Sequence, residues 1–345
     1  MTDFLDFVDL CERQLRLSGV HEGERVAIVS KGDERLDYAD AFMAAARRLG
    51  APTYHVRLPG GSGAGGSLAS LQVGATPLSG NPAATEALKQ SDLLIDLVFL
   101  LFSAEQMDIQ ATGTRILSVV EPVEVLREMF PVPGQKERID HGVELLRRAS
   151  ELRVTSPFGT DVTYRLNTFP VVPEYGFNDR PGEWDHWPSG FLFTGGDEDG
   201  VDGTVVIAPG DIVFPFNAYV RTPITLTVEH GRIVDVRGEL DALLLREYMA
   251  SFGDPDAYGI SHIGWGMHER ARRTSLAVDF KGIGMEARAT YGNVLFSTGP
   301  NGELGGSNHT ACHVDVPLHG CSLLLDGEPV IVDGDIVVPE MKAAQ

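Results

Sequence analysis

The sequence predicts an α/β N-terminal domain with a largely parallel sheet, followed by a β-rich α+β C-terminal domain. Three observations lead there. The chain has 345 residues, more than a single core usually takes, so two domains are the natural expectation. Up to about residue 150, short β-branched runs alternate with amphipathic stretches, which is the rhythm of βαβ units. From residue 151 the texture changes to short alternating runs joined by glycine-containing turns. The boundaries that follow are 1–150 and 151–345.

Taken in order, residues 4–17 carry apolar positions at helical spacing. RVAIVS at 25–30 reads as a strand, LDYADAFMAAARRLG at 36–50 as a helix closed by glycine, and TYHVRL at 53–58 as a second strand. LLIDLVFLLF at 93–102 is apolar but short and interrupted by Asp96, which makes it a buried strand. A helical SAEQMDIQATG, the strand RILSVV and a helix entered at Pro122 complete the first domain. ELRVTS, DVTYRL, GTVVIA, GDIVFP, ITLTVEHGRIVDVRG and LLLDGEPVIVDGDIVV then supply antiparallel strands, two of whose turns are Asp-Gly pairs. ELDALLLREYMASFG at 239–253 is the clearest helix of the second domain.

Composition narrows the function. With 49 acidic against 28 basic residues the net charge is −21, which argues against a nucleic-acid or anionic-membrane partner. No stretch approaches the roughly 20 apolar residues of a spanning helix, and the start carries acids where a leader carries bases. Cys11, Cys312 and Cys321 form no zinc-knuckle pattern, and an odd count without a disulfide framework fits a reducing compartment, so a cytoplasmic location is expected. A homo-oligomer is expected on the general ground that symmetric assemblies are common among soluble enzymes.

Gly61, Gly63 and Gly66 match a dinucleotide-binding glycine pattern, but they follow the second strand and a flexible loop satisfies the same spacing. ACHVDVPL at 311–318 is more specific. A period of two puts His313 and Asp315 on one strand face, about 7 Å apart, with Cys312, Val314 and Val316 on the other. A carboxylate in an apolar run needs a metal or a strong partner, so the pair is either a ligand set or a hydrogen-bonded couple. Cys312 reads as a small buried hydrophobe, and His309 would pair with His313 only on a helix. A third ligand is best sought in DAYGISHIGWGMHERARR, where His262 lies in a glycine-spaced apolar segment able to approach another backbone, while His268 is expected at the head of an exposed helix. Two imidazoles and a carboxylate suit a facial ferrous site or a hydrolytic zinc. VPEYGFNDRPGEWDHWPSG at 172–190 interleaves acids and His186 with aromatic residues, as a pocket wall or a surface loop would.

SHIGWGMHERAR, GNVLFSTGPNGELGGSNHTACHVDVPLHG, EYGFNDRPGEWDHWPSG and LLFSAEQMDIQATGTRILSVVEP together resemble the 2,5-dihydroxypyridine 5,6-dioxygenases of nicotinic acid catabolism over nearly the whole chain. That family is similar in build to the M29 metallo-aminopeptidases. The resemblance implies one Fe(II) held by His262, His313 and Asp315, acid/base roles for Glu174 and His186, and ring-opening of a small hydroxylated aromatic by dioxygen. Phe102, Trp184 and Trp187 would then contact the substrate. The peptidases place a glutamate at the position of His262 and a further ligand histidine in the segment matching GNVLFSTG, where this chain has Leu295 and Phe296. The dioxygenases carry a histidine where this chain has Phe102 and a proline where it has Ala104, a departure that puts the substrate in question. A metallo-aminopeptidase or other metal-dependent hydrolase is the alternative.

Overall fold

The computed structural model describes residues 4–60, 76–278 and 283–343; the glycine stretch with Gly61, Gly63 and Gly66 lies outside them. Two compact units are present: Met1–Pro131 with Glu174–Ser189, and Val132–Pro173 with Gly190–Phe280 and Gly284–Gln345. This division differs from a single boundary at 150. Helix Gln135–Arg148 belongs to the second unit because it packs on that unit's strands: a Cβ on Gly142 would lie 3.2 Å from both Leu192 and Trp265. Segment 174–189 belongs to the first because it supplies a strand there.

In the first unit five parallel strands run in the order Thr53–Leu58, Val26–Lys31, Leu93–Asp96, Arg115–Ser118 and Trp184–His186. Helices cover both faces, so neither face of the central strands is polar. Val26 and Ile28 enter one core with Leu15, Phe42 and Trp187, and Ala27 and Val29 enter the other with Leu88 and Ile109. The apolar run 93–102 does not continue as a strand. It ends at Asp96, whose buried carboxylate accepts the backbone N–H groups of Val98, Phe99 and Leu100 and turns the chain. Phe99 and Phe102 both take left-handed backbone conformations in this turn, at φ 65° and 58°, which bulky side chains rarely adopt.

The second unit is antiparallel, as its alternating runs predict. Eight strands follow one another from Arg232–Gly238 to Asp335–Ile336 in one sheet. A second sheet sets Val314–Leu318, Val294–Thr298, Ile260–Gly266 and Phe191–Thr194 side by side. Gly264 permits a close approach: a Cβ there would stand 2.0 Å from the Leu192 carbonyl oxygen. Pairing between Ile260–Gly266 and Val294–Thr298 is irregular, with Ile260 opposite Thr298 but Ile263 opposite Phe296, so one extra residue is inserted around Ser261 and His262.

Candidate metal centre and acid–base pair

Asp315 lies opposite Ser297 on the middle strand, and His262 occupies the irregularity on the far side of that same strand. The two side chains thus reach over one strand to meet. Nε2 of His262 stands 3.4 Å from Asp315 Oδ1, and Nε2 of His313 stands 3.2 Å from the same oxygen. One ligand atom from each residue lies within 4.8 Å of the others, the one such group of three among the described residues. Asp315 Oδ1 is buried and receives no well-directed hydrogen bond, although two imidazole nitrogens flank it. Three lone-pair atoms converging on one point, one of them an orphaned carboxylate oxygen, fit a divalent cation better than a hydrogen-bonded couple.

A second layer surrounds these groups. Arg288 Nε donates to Asp315 Oδ2 at 2.7 Å, and its guanidinium lies 4.0 Å from the Phe214 ring centroid. Burial pushes the Asp315 carboxyl upward, but the charges of His313 and Arg288 hold it well below the usual carboxylate range. Burial works against a charged His262, yet the neighbouring carboxylates of Asp315 and Glu303 raise it to about 9. In the absence of a cation His262 therefore favours a proton that metal binding must displace. Arg288 and Glu303 were not visible as site residues in the sequence, since neither sits at a telling spacing from the ligands.

Glu174 ends the short strand Val172–Glu174, and His186 ends Trp184–His186 in the first unit. Both side chains are buried, with Nδ1 of His186 3.1 Å from Glu174 Oε2, which also accepts the Ser189 hydroxyl at 2.7 Å. An acceptor-only carboxylate there makes Nδ1 the protonated nitrogen and leaves the lone pair on Nε2, which is buried and makes no hydrogen bond among the described residues. Asp185 accepts the N–H groups of Tyr175, Gly176 and His186. A cavity of about 10 Å³ beside it, room for one water, is lined by Asp96, Gln106, Ser118, Trp184 and His186 among others.

The other expected positions divide. Trp184 presents its ring 5.1 Å from that of His186, and half-buried Phe102 packs against Trp184 at 5.7 Å with its N–H donated to Gln106 Oε1. Phe99, which sequence reasoning passed over, lies 5.9 Å from His186. Trp187 is a correction. It is 1% exposed and sits edge-on to Phe42 and Phe130 in the helix–sheet core, because strand alternation sends it to the face opposite Trp184 and His186. It has no face to offer a substrate. His268 is likewise fully buried rather than solvated on a helix, since the chain there remains on the sheet through a bridge to Thr290. Cys312 is buried as expected, and His309 bonds Asp256 through its backbone, apart from the triad. Leu295 and Phe296 are buried apolar residues.

Antiparallel strands bring together two imidazoles and a carboxylate able to hold a metal ion, in a chain that also carries a parallel α/β unit, and this is the build of a two-unit α/β enzyme. A profile of the 2,5-dihydroxypyridine 5,6-dioxygenase (NicX) family matches residues 6–338, and the chain belongs to that family. It is 46% identical over 338 residues to the 2,5-dihydroxypyridine 5,6-dioxygenase of Pseudomonas putida KT2440, covering 97% of each chain. The solved structure of 2,5-dihydroxypyridine dioxygenase from that organism superposes with a TM-score of 0.95, 45% identity and 99% coverage of both chains. AmpT from Thermus thermophilus shares the fold at a TM-score of 0.65 and 15% identity, over 96% of this chain and 99% of that one.

Proposed function

We propose that this protein is an Fe(II)-dependent, ring-opening dioxygenase acting on 2,5-dihydroxypyridine or a closely related hydroxylated N-heteroaromatic. With the default substrate both atoms of dioxygen enter the product, N-formylmaleamate, and the bond between ring carbons 5 and 6 breaks. The convergence of His262, His313 and Asp315 in a chain of this family carries the reading. Ferrous iron in that set would supply Lewis acidity and electron transfer with open positions for two further ligands. Nε2 of His262, Nε2 of His313 and Oδ1 of Asp315 would be its protein ligands, with Arg288 fixing the free carboxylate oxygen. His186, steadied by Glu174 and Ser189, accepts a substrate hydroxyl proton at Nε2 and returns it to product. Trp184 and Phe102 offer ring faces and edges to a planar substrate.

Three free, buried cysteines support a reducing, cytoplasmic setting, and no helix among the described residues is long and apolar enough to cross a membrane. A homo-oligomer belongs to the same reading. The peptidase alternative draws on fold alone, and the segment in which the resemblance places a further peptidase ligand offers the buried apolar residues Leu295 and Phe296. The test is oxygen uptake by protein loaded anaerobically with Fe(II), followed beside the ultraviolet absorbance of 2,5-dihydroxypyridine. Matched consumption of both is expected. Metal-loaded protein that leaves hydroxypyridines intact and releases amines from aminoacyl amides would overturn the proposal.

A further inference from the structure

Glu303 is a buried acidic side chain that the chemistry above does not use. Its side chain is 4% exposed, and neither carboxylate oxygen has a hydrogen bond among the described residues. The carboxylate faces His262 Nδ1 at 3.8 Å, on the side of the ring away from Asp315. Ser261 fixes what that nitrogen carries. Its hydroxyl donates to the Pro300 carbonyl oxygen, so the same Oγ can only accept from His262 Nδ1, 3.3 Å away. Nδ1 therefore holds a proton, and Nε2, on the Asp315 side of the ring, is the nitrogen left to ligate a cation. His313 has no such backing, for its Nδ1 is buried without a hydrogen bond. The two imidazoles are thus unequal: one is steered from behind and the other is not.

We propose that Glu303 is a positioning residue for a divalent cation, acting with Ser261 through His262 to fix the ring tautomer and strengthen Nε2 as a donor. This rests on the reading of His262, His313 and Asp315 as a metal set. A cation drawing electron density through the imidazole makes the Nδ1 proton a better partner for the Glu303 side chain, so metal affinity gains from its presence.

Titration of metal-free, full-length protein with Co(II), read by visible absorption and calorimetry, tests this without reference to turnover. Glu303→Gln, which keeps a neutral acceptor, is expected to weaken Co(II) binding about tenfold, and Glu303→Leu about a hundredfold. The metal-free Glu303→Gln protein is expected to melt close to wild type, because glutamine fills the same space. Weaker binding with an undiminished melting temperature is a combination that a packing role does not produce. Wild-type affinity in Glu303→Gln would overturn the proposal. Folded wild type that binds no Co(II), or His313→Ala that binds as wild type does, would overturn the triad reading itself and this inference with it.

Discussion

Asp315 and Asp185 are both buried aspartates on strands, and their surroundings drive them in opposite directions. Asp315 meets His313 and Arg288, whose charges hold it ionised far into acid despite burial. Asp185 meets the same burial with Glu174 nearby, and desolvation together with that charge pushes it well above the usual carboxylate range. Three backbone N–H groups do not reverse this. Burial does not determine what a carboxylate does; the sign of the nearest charge does. One aspartate is kept as an anion beside two imidazoles, and the other takes the backbone N–H of His186 behind the Glu174–His186 pair.

The metal region and the Glu174–His186 region are expected to fail separately. His313→Ala is expected to remove bound metal, seen by elemental analysis, and to lower turnover by roughly 10⁴-fold or more. His186→Gln is expected to lower kcat by about 10²- to 10⁴-fold while metal content stays at the wild-type level. Metal loss in His186→Gln would show that the acid–base region is a support for the metal region rather than a separate instrument.

Phe102→His sharpens the account of the aromatic side. Histidine tolerates left-handed backbone better than phenylalanine, so the substitution suits the φ of 58° at this position. It is expected to raise kcat/KM on 2,5-dihydroxypyridine by about tenfold or more and to lower it on a substrate that packs on the phenyl ring, both by oxygen uptake. Unchanged values for both would place Phe102 outside the chemistry.

Glu174→Gln gives the smallest change in stability and the most specific one. The charge on Glu174 raises the carboxyl of Asp185, so the stability Asp185 contributes is present below its unfolded value and is lost as pH rises through its folded one. Neutralising Glu174 brings that folded value down and reduces the loss. The variant is expected to turn over about 10²-fold more slowly yet to melt higher than wild type, with a larger gain at pH 8 than at pH 5. An equal gain at both values would mean that Glu174 and Asp185 do not feel each other.

How much of this the sequence disclosed depends on how each side chain is presented. Asp315 was legible because a regular strand encodes its faces at every second residue, and His313, one residue ahead of that strand, still reaches the same oxygen at 3.2 Å. His262 was reachable through its glycine-spaced setting, but the extra residue that aims it was not, because bulges leave no periodic trace. Trp187 was misplaced for a related reason. Read as a turn-rich wall, its segment hid a three-residue strand whose alternation separates Trp187 from Trp184 and His186. The turn after Asp96 escaped altogether, since three hydrogen bonds from backbone to one carboxylate depend on backbone direction rather than on residue type.

The irregularity at Ser261 and His262 has a hereditary consequence. In a regular strand neighbours point to opposite faces, so a ligand and the group that steers it must be encoded at least two residues apart. Here Ser261 Oγ and His262 Nδ1 lie 3.3 Å apart on adjacent residues. Adjacent codons therefore specify the donor and the hydroxyl that orients it. Recombination or the grafting of this strand into another sheet would carry the two as a unit, and a one-codon deletion at Ser261 would leave the donor in the gene without its guide.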